Sequence, residues 1–201
     1  MMDNTVEIYA FVGVVGSGKS YRLNRMAREC QVTGGKVAVI GDFSDGIREA
    51  TARILNIDSS ILRPESEAYR LWKDSEVMAG VTGRDILCNV GEGLKSVLGK
   101  DIWAQYTSRK IERDIATWQA WGIRSVRVLF GSVRFNYEAR AVFNLAHRMG
   151  VSPHFIFCDY PSPSYNDAIQ HPSEQFAQGI LKMGCRDGQD ITKIVKTFCS
   201  R

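Results

Sequence analysis

The run VEIYAFV (6–12) passes without a break into Gly13, Val14, Val15, Gly16, Ser17, Gly18, Lys19 and Ser20. An amphipathic stretch, SYRLNRMARECQ (20–31), follows at once and sets Leu23, Met26, Ala27 and Cys30 on one side of a helix. Strand, glycine turn, helix is the opening of a βαβ unit, and no other feature constrains the fold as much. Strands joined in this way are parallel, their crossovers are right-handed, and helices must cover both faces. The rest of the chain continues in kind. KVAVIG (36–41), SVRVLFG (125–131) and HFIFCD (154–159) read as strands. DGIREATARILNI (45–57), with Ile47, Ala50, Ile54 and Leu55 inward, and NYEARAVFNLAHRMG (136–150) read as helices, with short ones near 173–182 and 189–199. Helices over about 64–79, 83–98 and 101–121 fill the middle, the last ending at Gly122. The expected architecture is α/β, a three-layer α/β/α arrangement around a central parallel sheet.

The glycine turn fits G-x-x-x-x-G-K-S/T at each fixed position, with a strand before it and a helix after it. Glycines at Gly13, Gly16 and Gly18 let the backbone turn so that successive N–H groups point inward at a phosphate. Val14, Val15 and Ser17 would contribute main-chain groups to the same cradle. The helix beginning near Lys19 adds the positive end of its dipole. Lys19 would place its cation between the β- and γ-phosphates, and the Ser20 hydroxyl would ligate Mg²⁺. A glycine-rich turn can also join a strand to a helix without any ligand, but here motif and context agree. ATP or GTP is the expected ligand, and the fold expectation sharpens to a P-loop NTPase.

The pattern also excludes. No N-K-x-D segment provides guanine specificity, and no apolar strand ends in Asp-Glu as a motor ATPase would have it. RVLFGS ends in Gly-Ser. The carboxylates best placed for a metal are Asp42 and Asp45, in VIGDFSDGIR after the second strand, since carboxyl ends of strands face the ligand crevice. Either serves equally well as a turn residue or a helix cap.

With 201 residues one domain is expected, carrying a helical insertion over about 60–122. A net charge of +4 permits a polyanionic partner without requiring one. The five cysteines are scattered and never C-x-x-C, which points to a reducing cytoplasm rather than disulfides or zinc. No window approaches a membrane span, and MMDNTVEIYAF lacks the basic start of a signal peptide.

Three further stretches occur in order after the glycine turn: GDFSDGIREA (41–50), GRDILCNVGEGLKSVLGKDIWAQ (83–105) and SVRFNYEARAV (132–142). They resemble the phage deoxynucleoside monophosphate kinase group of P-loop kinases, with its F-A-D-P-L-K/R-E, R-x-L-L-Q-x-x-G with D-x-W, and D-V-R-F-x-N-E-A segments. His171-Pro-Ser173-Glu174 echoes a later H-x-S-E. Ser132 stands where that group has Asp, the turn ends in Lys-Ser rather than Lys-Asp, and Gly91-Glu-Gly93 replaces a G-T-D-like turn. With these departures the chain looks closer to the phage 5-hydroxymethyluracil DNA kinases. That resemblance implies an ATP- and Mg²⁺-dependent kinase acting on the base hydroxymethyl group in phage DNA, a step in thymine hypermodification in the host cytoplasm. The alternative is a kinase of free deoxynucleoside monophosphates.

On the matched segments, Arg48, Arg84, Arg134 and His171 are the expected acceptor-binding residues, the arginines because a planar fork suits phosphate oxygens. Lys19, Asp42, Asp45 and Arg134 are the candidates for the transfer step. Glu92, Asp101 and Glu174 are the reserve carboxylates. Arg109, Lys110 and Arg113 on the long helix, and Arg22, Arg25 and Arg28 after the glycine turn, are candidates for DNA phosphates. Trp103, Trp118 and Trp121 are expected in the core, though the latter two could stack a base.

Overall fold

A computed structural model describes residues 5–33, 36–159 and 174–199. In chain order the strands and helices are β1 Thr5–Val12, α1 Lys19–Thr33, β2 Lys36–Gly41, α2 Asp45–Leu55, α3 Glu67–Asp74, β3 Glu76–Met78 and β4 Val81–Thr82. Then come α4 Gly83–Leu98, α5 Ile102–Ala120, β5 Ser125–Val133, α6 Asn136–Arg148, β6 Pro153–Phe157, α7 Gln175–Leu181 and α8 Thr192–Cys199. A 3₁₀ turn occupies Ser59–Leu62. The chain is α/β, with a central four-stranded parallel sheet flanked by helices. It divides into two compact units. One runs to Asp42 and resumes at Ser108; the other is Phe43–Thr107, so the division falls within α5.

The first unit holds the sheet, in the order β2-β5-β1-β6. The two inner strands are buried on both faces and read as near-continuous apolar runs. Ile8, Ala10, Phe11 and Val12 of β1 are buried, as are Val126, Val128, Leu129, Phe130 and Val133 of β5. Alternation along the strands sends Phe11 and Leu129 toward α1, where they pack with Leu23 and Cys158. Met26 and Ala27 join that cluster, so the helical face expected from the sequence is the one used. On α5, Ile111 and Ile115 are buried, and on α6 so are Ala139, Val142, Leu145 and Ala146. Each large apolar side chain removed from water in this way contributes about 1.5–3 kcal/mol. At the outset of the strands Glu7 accepts from Lys36 at 2.9 Å and Arg127 at 2.8 Å, tying β1 to β2 and β5.

The pairing of β1 with β5 is regular from Thr5 opposite Ser125 to Ala10 opposite Phe130, and then Val12 lies opposite Val133. β5 thus takes one more residue than β1 over this step. Such a bulge bends and twists a strand end and re-aims the side chain that follows it. That side chain is Arg134.

The second unit is built around aromatic rings and small residues. A Cβ at Gly46 would lie 2.7 Å from the Trp103 ring, and one at Gly83 would lie 2.5 Å from the Trp72 carbonyl, so both positions need glycine. Trp103 is buried, as expected, and donates its indole N–H to the Gly91 carbonyl at 3.0 Å. Thr82 and Asp85 form a reciprocal capping box at the start of α4.

Four expectations need correction. Residues 76–82 form a small antiparallel hairpin, not the end of a helix, because Gly80 turns at φ 73° and donates its N–H to Glu76. Helix α2 stops at Leu55, where Asn56 adopts the left-handed conformation (φ 52°). Its buried residues are Gly46, Arg48, Thr51 and Ala52, while Ile54 is 67% exposed. Trp121 is 70% exposed rather than core, and meets the half-buried Trp118 edge-on. Among the described residues no helix is long and apolar enough to cross a membrane.

Candidate functional site

The candidate site lies in the first unit, at the carboxyl ends of the parallel strands, where α/β sheets leave a crevice. β1 delivers the glycine turn, β5 delivers Arg134, β2 delivers Asp42 and β6 delivers Cys158. The turn depends on its glycines. Gly16 and Gly18 have φ of 81° and 82°, values that side chains disfavour. At Gly13 an added Cβ would lie 2.3 Å from the Cys158 carbonyl oxygen and 2.4 Å from Ser17 Oγ, so β6 and the turn leave no room for one. Ser17 itself is 1% exposed, and its hydroxyl has no protein partner among the described residues. A buried polar atom left in this way is costly.

Lys19 is the first residue of α1, and its ammonium folds back over the turn. Nζ donates to the carbonyl oxygens of Gly13 and Val14, both at 2.6 Å. Burial pushes its pKa down to about 8; the Glu174 carboxylate partly restores it, and the Arg134 charge lowers it again. The cation is therefore partly desolvated with a second cation acting on it, held by neutral carbonyls. An anion would relieve both penalties. Ser20 is exposed in the first turn of the same helix.

Two buried carboxylates brace the main chain at the glycine turn and at the end of β5. Glu174, 2% exposed at the start of α7, accepts the Val15 N–H at 3.1 Å. Glu138, in the first turn of α6, accepts the N–H groups of Arg134 at 2.6 Å and Phe135 at 3.2 Å through one oxygen. Burial pushes the Glu138 pKa up to about 7, the two N–H groups and the Arg134 charge oppose this, and Asp42 adds to it. Asp42 thus acts on the same site as Glu138. The exposed Arg134 donates Nε–H to Ser132 Oγ at 3.0 Å. Burial pushes the Cys158 thiol up to about 11, which leaves it a packing residue rather than a nucleophile.

The structure thus gathers the 13–20 turn, Asp42 and Arg134 in one unit. Asp45, Arg48 and Arg84 belong to the other. There Arg48 is buried and ion-paired with Asp45, one helical turn away, and Arg84 pairs with Asp74 at 2.6 Å on the surface. His171 lies outside the described residues, as does most of the neighbouring loop. Of the reserve carboxylates, Glu174 is at the turn, while Glu92 bonds Lys95 and Asp101 bonds Gln105. Arg109 and Arg113 are exposed on α5, whereas Arg22 is paired with Asp187 and Arg25 with Glu29. Sequence reasoning gave Glu138 no role. Its signal was present: an acid four residues after Arg134, at the third position of an expected helix.

No protein-family model matches the chain, and no curated protein matches it.

Proposed function

We propose that the protein is an ATP-dependent phosphotransferase of P-loop type, with residues 13–20 as the phosphate cradle. The observation that carries this reading is Lys19: a partly desolvated ammonium seated over a glycine turn on two carbonyl oxygens, with Arg134 acting on it. The unpartnered Ser17 hydroxyl and the positive φ of Gly16 and Gly18 fit a ligand held against main chain. ATP with magnesium would supply the γ-phosphoryl group. Ser20 and Asp42 suit the metal. Among the described residues no three His, Cys, Asp or Glu side chains form a metal cluster. That is compatible with magnesium, which takes one or two protein oxygens and completes its shell with phosphate and water. Lys19 and Arg134 would stabilise charge on the transferring group, and a carboxylate such as Asp42 would accept the proton of the acceptor hydroxyl.

For the acceptor, the reading is the hydroxymethyl group of 5-hydroxymethyluracil in DNA, by resemblance to the phage kinases of that base, acting in the host cytoplasm. The exposed Arg109 and Arg113 and the net charge of +4 support a polyanionic substrate. Labelled γ-phosphate transfer tests it, offering hydroxymethyluracil-containing DNA beside free deoxynucleoside monophosphates. Label in the DNA supports the reading. Label only in a free diphosphate assigns the chain to the monophosphate kinases, and label in neither, with intact protein, refutes transfer.

A further inference from the structure

Glu138 is buried, and burying a carboxylate is expensive. An acid in the first turn of a helix is favourable for local reasons, but those reasons operate at the surface and do not call for burial. What burial adds here is a fixed relation between α6 and the bulged end of β5. One oxygen of Glu138 takes the main-chain N–H of Arg134 and of Phe135, the two residues that leave the strand. Behind them the extra residue in β5 has already turned the strand end, and Gly131 lies so near Leu23 that a Cβ there would be 2.9 Å from it. The direction of the Arg134 backbone is thus set on both sides. Its guanidinium reaches Ser132 Oγ, and its charge acts on Lys19.

We propose that Glu138 is a positioning residue, which holds the backbone of Arg134 and Phe135 so that the Arg134 guanidinium serves the proposed phosphate cradle together with Lys19. The inference rests on the phosphate-cradle reading and extends it: the anion is held by Lys19 from α1 and by Arg134 from β5, and Glu138 makes the second cation dependable. A carboxylate acting through main-chain N–H groups can be replaced by an amide oxygen with little loss. A side chain without an acceptor frees the strand end and leaves the arginine in place but undirected.

The test is a double-mutant cycle read by binding, so that it does not depend on the acceptor. The probe is inorganic tripolyphosphate, titrated calorimetrically into wild type, R134A, E138A, E138Q and the R134A/E138A pair. Each protein's fold is checked by circular dichroism. Loss of one charge-assisted contact corresponds to about a tenfold rise in Kd. R134A and E138A should each show about that rise, the double variant should be no weaker than R134A, and E138Q should stay close to wild type. A double variant weakened by the product of the two single effects, about a hundredfold, overturns the positioning role. So does an E138A protein that binds like wild type, or an E138Q protein as weak as E138A. If E138A does not fold, E138D, whose carboxylate is one methylene too short to keep both N–H groups, takes its place in the cycle with R134A, with the same results expected and the same results overturning the role. Tripolyphosphate failing to bind wild type refutes the phosphate cradle itself, and the positioning role with it.

Discussion

Replacing Lys19 with Met keeps the length of the side chain and removes its charge. The ammonium is held at about 8 instead of 10.5, mainly by burial. That difference disfavours the folded cation by about 3 kcal/mol. Methionine escapes this cost but gives up two hydrogen bonds to carbonyls, each worth about 0.5–1.5 kcal/mol. The expected net effect is a variant at least as stable as wild type, and by up to about 2 kcal/mol more so, at pH 7 in the absence of nucleotide. For a chain of this size that is a rise in Tm of up to roughly 4–8 °C. The pH dependence follows from the sign of the shift. Between about 8 and 10.5 the unfolded lysine still carries a proton that the folded one has lost, so wild type gains stability as pH rises through that window. The advantage of the variant should therefore be largest below pH 8 and reversed near pH 10.5, where wild type keeps its hydrogen bonds without the cost of the charge. Differential scanning calorimetry at pH 7, 9 and 10.5 reads this directly. A K19M protein less stable than wild type at pH 7, or a difference that does not change with pH, would refute the claim that Lys19 is held at a cost to the fold.

Three other outcomes are expected. The Glu138 carboxyl titrates at about 7 when folded against 4.5 in the ordinary case, so wild-type stability should fall by about 3 kcal/mol relative to E138Q as pH rises from about 4.5 to about 7; urea unfolding across that range measures it. Gly13→Ala forces a Cβ to within 2.3 Å of the Cys158 carbonyl, and should destabilise the protein by more than about 2 kcal/mol in urea unfolding while abolishing nucleotide binding. Replacing Arg109, Lys110 and Arg113 together by Ala should weaken DNA binding and flatten its salt dependence by roughly 0.7–0.9 in log–log slope for each contact removed, with nucleotide affinity unchanged, as a filter-binding salt series would show.

The part of this architecture legible in the sequence is the part fixed by local pattern. β2 occupies the expected 36–41 and α4 the expected 83–98, since a β-branched run and a Thr-x-x-Asp capping box each act within a few residues. The sheet order was not legible: placing β5 between β1 and β2 is a choice among non-local pairings. Ile54 misled because apolar periodicity assumes that the largest side chain faces inward. In α2 the inner face is instead made of small residues and the paired Arg48, with Gly46 against the Trp103 ring. The glycine turn was readable from its spacing alone, but its energetics were not. The lowered pKa of Lys19 comes from its burial and from the charge of Arg134, 115 positions away in the chain. Glu138 escaped notice because an acid in a first helical turn has an ordinary local explanation, and only its burial under the end of β5 shows otherwise.

The central claim is that residues 13–20 hold a polyphosphate through Lys19. Its most direct test is the affinity of Mg·ATP for wild type and for K19M, measured by isothermal titration calorimetry at pH 7.5. Loss of a charge-assisted contact worth about 1.5–3 kcal/mol should weaken binding by roughly 10- to 150-fold in a variant that remains folded. Equal affinity in the two proteins, or no binding to wild type, would contradict it.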